Sequence, residues 1–89
     1  MLFRAKYYKT DLWKSLGKSE RIILLVLATY SDKFGGKCFP SITKLREATT
    51  MKRNTICDNI KLMVVKGALS KIKKGRSSHY DLSVWKNHD

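Results

Sequence analysis

The chain has 89 residues, of which 43% are hydrophobic, enough for one small globular domain and too many for a disordered chain. Its formal net charge is +12, of which residues 33–80 contribute +10, and this one-sided surplus favours a polyanionic partner over an evenly solvated surface. The longest apolar run, Ile22 to Ala28, has seven residues and is too short to span a membrane, and without a signal-peptide pattern a cytoplasmic protein is expected.

Residues 1–16 form an N-terminal extension. From Phe3 to Tyr8 apolar and polar residues alternate loosely, which predicts an extended segment. Thr10 then supplies a hydroxyl that can cap a short helical turn as far as Leu16. The extension is therefore expected to combine an extended stretch with one short helix.

The first long helix is predicted to open at Gly17 and to continue to Tyr30. Glu20 lies in its first turn, where a carboxylate interacts favourably with the helix dipole. Apolar residues fill nearly every side of this helix from Ile22 to Ala28, and a helix that is apolar all round must be covered all round. We therefore expect it to be the central pillar of the domain.

A polar connection follows at residues 31–37, and its Gly-Gly pair is a turn signal. Residues 37–39 predict a short strand. Ser41, directly after a proline, is expected to be the N-cap of the next helix.

Two short helices joined by a tight connection are the most informative feature of the chain, and they occupy residues 41–66. The apolar residues are three apart in the first helix and at i, i+4 and i+7 in the second, so each set lies on one helix face. The connection from Thr49 to Lys52 is long enough only to turn one helix across another. This pattern is a helix-turn-helix, whose second helix usually enters the DNA major groove. The apolar positions are Ile42, Leu45 and Ala48, then Ile56, Ile60 and Met63.

Residues 69–82 predict a basic β-hairpin directly after the second of these helices. Gly67 can end that helix as a C-terminal glycine. Apolar and polar residues alternate in the first strand, residues 75–78 form a turn, and residues 79–82 return. The order of elements is that of a winged helix-turn-helix. The predicted fold is therefore mainly α, a three-helix core with a β-hairpin wing, in a single domain over residues 1–89.

Four groups of residues carry a further pattern: Leu16 to Glu20, Cys38 to Ile42 with Leu45, Thr55 with Ile56, and Lys66 to Leu69. In these groups the chain resembles the winged helix-turn-helix of phage and plasmid replication proteins and related prophage regulators, over residues 10–82. The resemblance implies a domain that binds duplex DNA, often in a replication initiator. Such families commonly place Ser or Thr where Lys52 stands, as the helix N-cap. Either Thr50 caps a helix that begins earlier, or Lys52 is there for a DNA phosphate.

Polar residues of the second helix lie opposite its apolar face. Arg offers a bidentate fork for guanine and Asn a donor–acceptor pair for adenine, so Arg53 and Asn54 are expected to contact bases. Thr55 suits a phosphate or a backbone group. Asp58 is expected to orient a neighbouring Arg or Lys rather than to touch DNA, because phosphates repel it, and the N4 amino group of cytosine is the alternative target. The alternative is a solvated face, and the candidates are Lys52, Arg53, Asn54, Thr55, Asp58 and Lys61.

Two further groups are candidates for DNA contact. The start of the first helix of the pair offers N–H groups and a positive dipole end to a phosphate, although Ser41 also suits a plain cap. The hairpin holds four cations within six residues; strand lysines can also protect a sheet edge, and an arginine at a hairpin tip suits a narrow minor groove. The candidates are Ser41, Thr43 and Lys44 at the helix start and Lys71, Lys73, Lys74, Arg76 and Ser77 in the wing.

The remaining apolar and aromatic residues are assigned to the core. The run from Leu62 to Val65 is too long for one helix face, and core packing is expected over a dimer interface. Trp13, Trp85 and the tyrosines are expected to complete the core rather than to stack on bases.

Catalysis and cofactor binding are not predicted. Cys38 and Cys57 are nineteen residues apart and lack the spacing of a zinc site. Because the sequence shows no secretory signal, they are expected to be reduced thiols. The sequence contains no phosphate-binding loop, HExxH motif or nucleophile elbow. Its seven acidic residues include no obvious acid–base pair.

The predicted function is sequence-specific binding of double-stranded DNA. Origin recognition in replication initiation of a phage, plasmid or mobile element is the preferred process, and a small transcriptional repressor is the alternative. A winged-helix module for protein–protein contact is the second alternative. The predicted partners are duplex DNA, a second copy of the chain on dimeric or repeated sites, and replication proteins; no membrane is expected.

Overall fold

The computed structural model describes residues 1–33, 35–36, 40–75 and 77–88, except for the side chains of residues 74, 77 and 78. This part of the chain is mainly helical with a two-stranded antiparallel hairpin, which confirms the predicted winged helix-turn-helix. The strand predicted at 37–39 lies outside the described residues. The elements are α1 (Asp11–Ser15), α2 (Lys18–Tyr30), α3 (Ile42–Thr49), α4 (Arg53–Lys66), β1 (Ser70–Lys74) and β2 (Ser77–Asp81), with 3-10 turns at Ala5–Lys9 and Ser83–His88.

The N-terminal segment contains a 3-10 turn, so the prediction of an extended segment was wrong. The backbone N–H of Tyr7 donates to the carbonyl of Arg4 over 3.0 Å, and the Tyr7 ring is completely buried. The ring centroid of Phe3 lies 5.0 Å from that of Tyr7 and 5.1 Å from that of Trp85. Contacts between aromatic rings far apart in sequence have overridden the local alternation.

The predicted starts of α1 and α2 are confirmed, but the predicted cover of α2 is not. Thr10 Oγ1 accepts a hydrogen bond from the backbone N–H of Trp13 over 3.1 Å, and Gly17 is the N-cap of α2. The central helix α2 packs against both α3 and α4. Its outer side carries Ile22, which is 38% exposed, and the half-buried Leu25. A domain of this size has too few elements to cover a central helix on every side.

Helix α3 begins where the sequence predicted and buries a slightly different set of residues. The Ser41 hydroxyl accepts from the backbone N–H of Lys44 over 3.2 Å, which confirms the N-cap. Leu45 is buried, but the predicted core residue Ala48 is exposed. Thr49 is buried in its place, and its hydroxyl donates to the carbonyl of Leu45 over 2.6 Å. The inward face therefore follows the i, i+3, i+7 spacing of a full helix turn rather than steps of three.

Helix α4 buries the three residues predicted for its inward face, Ile56, Ile60 and Met63. It ends at Gly67, whose φ of 81° is the left-handed conformation that glycine adopts without strain. Of the four consecutive apolar residues from Leu62 to Val65, for which core packing was preferred to a dimer interface, only Met63 is buried. Core packing was the wrong prediction for the other three, because α4 presents only one side to the core: Leu62 is 48% exposed, Val64 39% and Val65 84%.

The hairpin pairs β1 with β2 in a register that sets Ser70 opposite Asp81 and Lys74 opposite Ser77. Residues 77–78, predicted as part of the turn, therefore belong to β2. The strand residue Ile72 is 41% exposed. The prediction of a hairpin over residues 69–82 is confirmed, with a shorter turn than expected.

The base of the hairpin is fixed to the rest of the domain by two hydrogen bonds. The backbone N–H of Leu82 donates to the carbonyl of Gly35 over 2.7 Å, and Trp85 Nε1 donates to the carbonyl of Ala68 over 2.7 Å. Gly35 has a φ of 85°, and a Cβ there would lie 2.8 Å from the carbonyl carbon of Leu82. Only glycine fits this contact.

The core joins the buried faces of the helices to aromatic rings from both ends of the chain. The expectation that the aromatic residues complete the core is confirmed for Tyr7, Trp13, Tyr80 and Trp85. It is wrong for Tyr8 and Tyr30, which are 41% and 42% exposed. Within the described residues, no helix is both long and apolar enough to cross a membrane.

Candidate nucleic-acid interface

The outward face of α4 carries a stripe of three polar residues, Asn54, Asp58 and Lys61, which we call the outward stripe. Each of them lies two positions before a buried apolar residue of the same helix. Two helical positions differ by about 200°, so the outward stripe points directly away from the core. All three side chains are exposed. The structure thus brings three of the candidate base readers onto one open surface.

The first turn of α4 has no side-chain cap. Lys52 is the N-cap residue, with φ −71° and ψ 153°, and its ammonium group cannot accept a hydrogen bond from the first N–H groups of the helix. The alternative in which Thr50 caps an earlier start of α4 is wrong, because Thr50 is the C-cap residue of α3. Lys52, Arg53 and Thr55 are all exposed. Two cationic side chains therefore flank an uncapped helix start.

The turn between α3 and α4 has a strained backbone and a local hydrogen-bond network. Thr50 adopts φ 59°, a left-handed conformation that is unusual for a β-branched residue and costs about 1–2 kcal/mol. Its hydroxyl donates to the carbonyl of Thr49 over 2.6 Å. The hydroxyl of Thr49 accepts from the backbone N–H of Met51 over 3.3 Å. These bonds hold the turn that sets α4 across α3.

The start of α3 contributes a second group of exposed polar residues. Thr43 and Lys44 are exposed, and Ser41 is the cap already described. The ammonium group of Lys44 lies 5.9 Å from the ring centroid of Tyr30, a distance at which a cation–π attraction acts. Lys44 is thus oriented towards the end of α2, and Thr43 lies on the side of α3 nearer to the start of α4.

An open groove of about 430 Å³ lies between α3 and the start of α4. Arg46 lines this groove and is exposed, although sequence reasoning did not select it. The available signal was its spacing, because residues 43, 46 and 50 follow one helix face at i, i+3 and i+7. The groove is lined by Thr43, Arg46, Glu47, Thr50, Met51 and Lys52.

The register of the hairpin separates the wing residues by face. Lys71 pairs with Tyr80 and Lys73 with residue 78, and residues directly opposite each other share a face. Since Tyr80 is buried, Lys71 and Lys73 belong to the face turned towards the helices, and both remain exposed. Ile72 belongs to the other face. Arg76 and the side chains of Lys74 and Ser77 lie outside the described residues, so their roles stay predictions.

One cation of α4 contacts the protein itself. Lys66 Nζ lies 3.0 Å from Glu20 Oε1, and it also donates to the carbonyl of Ser15 over 2.8 Å. The Glu20 side chain is only 6% exposed, whereas the Lys66 side chain is 32% exposed. This ion pair ties the C-terminal end of α4 to the start of α2, and sequence reasoning missed it because the two residues are far apart in the chain.

Comparison with known proteins identifies a family for this chain but no individual relative. The family model for the helix-turn-helix domain matches residues 14–67, which is more than half of the chain and runs from the last two residues of α1 to just past the end of α4. No curated protein and no solved structure matches the chain. The match covers both helices of the turn motif and the central helix that supports them. The chain belongs to the helix-turn-helix domain family.

Proposed function

We propose that the protein is a sequence-specific binder of double-stranded DNA, in which α4 enters the major groove. The observation that carries the proposal is the outward stripe, three exposed polar residues set opposite a buried apolar face on the second helix of the motif. An α-helix fits the width of the major groove. Any amphipathic helix exposes polar side chains opposite its core, so the support comes from the place of these three on the second helix of the motif, within a strongly cationic part of the chain.

Several polar residues at and near the start of α4 have a chemically matching group on DNA. Asn54 can pair with the N6 and N7 edge of adenine, and Arg53 or Lys61 with the O6 and N7 edge of guanine. Lys52, at the uncapped start of α4, suits a phosphate, as does Thr55 beside it. In this proposal the outward stripe specifies the sequence, and the residues around the helix start fix its register on the backbone.

The charge distribution supports DNA over other partners. Residues 33–80 carry twelve of the 19 Lys and Arg residues and two acids. The start of α3 and the wing lysines Lys71 and Lys73 extend the cationic surface to either side of α4. We propose that the wing contacts the flanking backbone or minor groove, and that Ser41, Thr43 and Lys44 face a phosphate. The role is binding, with no catalytic step.

The process served is proposed from the resemblance given above. Replication initiation of a phage, plasmid or mobile element is the preferred role, and transcriptional repression is the alternative. Two reporters separate them once a preferred site is known. Protein-dependent replication of a circle that carries the site as its only origin candidate supports initiation. Repression of a promoter that contains the site, without replication, supports the regulator.

Selection from a pool of random duplexes tests the molecular proposal. An enriched motif supports direct reading of bases by α4. Binding without enrichment would reduce the protein to a nonspecific cationic module, and absence of binding even at low salt would contradict the proposal. Asn54→Ala should cost about 1–3 kcal/mol of binding free energy on the preferred site and less on unrelated DNA. Lys71→Ala is the matched control, since losing a phosphate contact weakens all duplexes alike.

A further inference from the structure

Asp58 is an acid in the middle of the most cationic surface of the molecule. It lies between Asn54 and Lys61 on the outward stripe, and its side chain is exposed. Only Glu47 shares its charge sign within residues 33–80, where the net charge is +10. A carboxylate at this place opposes the electrostatic attraction that draws the rest of the surface to phosphates. In the free protein water solvates this exposed carboxylate. When DNA displaces that water, a hydrogen bond or an ion pair is needed to offset the repulsion from phosphates and the lost solvation.

An internal partner is not found within the described part of the chain. The residues described there make no hydrogen bond or ion pair with the Asp58 carboxylate, whereas Glu20 in the same domain binds Lys66 over 3.0 Å. Lys61 lies three positions further along α4, within reach of a helical ion pair, and yet forms none with Asp58. The interpretation that Asp58 orients a neighbouring cation therefore has no contact to support it.

The chemistry of the major groove restricts what Asp58 can bind. An ionised carboxylate only accepts hydrogen bonds. Guanine presents two acceptors in the major groove, and thymine presents an acceptor and a methyl group. Adenine offers its N6 amino donor beside the N7 acceptor, which would repel the second carboxylate oxygen. Cytosine offers the N4 amino donor alone.

The length of the side chains is consistent with a direct contact. Asp58 and Asn54 are both short and are four positions apart, about 6 Å along the helix axis and so within about two base-pair steps. If α4 lies along the groove with Asn54 at a base, Asp58, one turn further on, is within reach of a neighbouring base pair. We propose that Asp58 is a specificity-determining residue, whose carboxylate accepts a hydrogen bond from N4 of cytosine and disfavours the other three bases. This inference rests on the proposed function.

The test compares four proteins in selection from random duplexes: wild type, Asp58→Ala, Asp58→Asn and Glu47→Gln. Wild type should enrich a motif with cytosine at one fixed position. Asp58→Asn should change that position to adenine, because a carboxamide can accept from N6 and donate to N7. Asp58→Ala should leave that position without preference while the rest of the motif persists. Glu47→Gln removes an equal charge from the same surface and should keep the cytosine.

Binding to defined duplexes gives the size of the effect. For wild type, changing the cytosine pair should weaken affinity by about 5-fold to 150-fold, the usual range for one specific base contact. For Asp58→Ala the same change should alter affinity by less than about 2-fold. Both Asp58→Ala and Glu47→Gln should raise affinity for unrelated DNA, since each removes a charge that repels phosphates.

Failure of this inference is distinguishable from failure of the proposed function. If wild type binds no duplex, the proposed function is wrong. If wild type enriches a motif that has no fixed cytosine, or if Asp58→Ala and Asp58→Asn both retain the wild-type motif, then DNA reading stands and Asp58 takes no part in it. Since the wild-type motif alone can contradict the inference, the test does not depend on how the variants fold.

Discussion

The two helices of the turn motif start with nearly the same backbone and with opposite side chains. Ser41 before α3 has φ −71° and ψ 161°, and Lys52 before α4 has φ −71° and ψ 153°. The Ser41 hydroxyl accepts a hydrogen bond from the third residue of the capped turn, Lys44, over 3.2 Å. Lys52 makes no such bond. The same local geometry is thus used once for a stabilising cap and once for a cation.

The comparison teaches where α4 obtains its stability. Without a cap at its start, α4 depends on its buried face and on its C-terminal end, where Gly67 stops the helix and Lys66 binds Glu20. The uncapped start keeps its N–H groups available for an anion, which is what the proposed phosphate contact needs. Stabilising contacts and proposed DNA contacts therefore occupy opposite ends and opposite faces of one helix. Four variants test this separation.

The largest effect is expected from the buried face of α4. Ile60→Ala removes a side chain that is only 2% exposed, and the free energy of unfolding should fall by about 2–5 kcal/mol because a cavity replaces packed methyl groups. Val65→Ala, on the same helix at a position that is 84% exposed, is the control and should change little. Urea denaturation followed by circular dichroism measures both. Equal losses for the two variants would mean that α4 is stabilised along its whole surface.

Loss of the Lys66–Glu20 ion pair should have the next largest effect on the free energy of unfolding. Lys66→Met leaves the buried Glu20 carboxylate without its cation, and we expect a loss of about 1–3 kcal/mol in the free energy of unfolding. The double variant Glu20→Gln/Lys66→Met should recover part of that loss, because no buried charge is then left unpaired. A double variant that is less stable than Lys66→Met would show that the pair contributes through packing rather than through charge.

A smaller loss is expected at the capped helix. Ser41→Ala removes the acceptor of the Lys44 N–H and should lower the free energy of unfolding by about 1 kcal/mol. Ser41→Asp keeps an acceptor at the same position and should retain most of the stability. Should Ser41→Ala melt at the same temperature as wild type, the start of α3 would owe nothing to its cap, and the contrast with Lys52 would disappear.

Much of the fold follows from local patterns that the sequence displays. The caps at Thr10 and Ser41, the inward face of α4 and the hairpin all depend on residues near one another in the chain. The errors share a cause. The 3-10 turn around Tyr7 depends on aromatic rings that are distant in the sequence. The burial of Thr49 depends on the exact rotation of α3, which a spacing of three residues does not give. Leu62 and Val65 are exposed because too few elements surround α4 to cover more than one of its sides.

The candidate site was predictable in its chemistry and less so in its geometry. The outward stripe could be selected from its spacing relative to the apolar residues of α4, and the structure leaves all of it exposed. The Lys66–Glu20 pair could not be selected, because it joins residues 46 positions apart. Arg46 could have been found from its spacing to Thr43, but one arginine on a solvent face is not distinctive until the groove beside it is known.

The last variant, Lys52→Ser, reverses the contrast between the two helix starts and should move stability and DNA affinity in opposite directions. A serine hydroxyl at position 52 can accept from the backbone N–H of Thr55, as Ser41 accepts from that of Lys44, so the free energy of unfolding should rise by about 0.5–1 kcal/mol. If Lys52 contacts a phosphate, the slope of log affinity against log salt should flatten by about 0.9. Base preference should persist, because phosphate contacts fix position without reading sequence. A gain in stability with an unchanged salt slope would leave Lys52 as a solvated lysine and would assign the phosphate contact at this helix end to Arg53 or to the backbone.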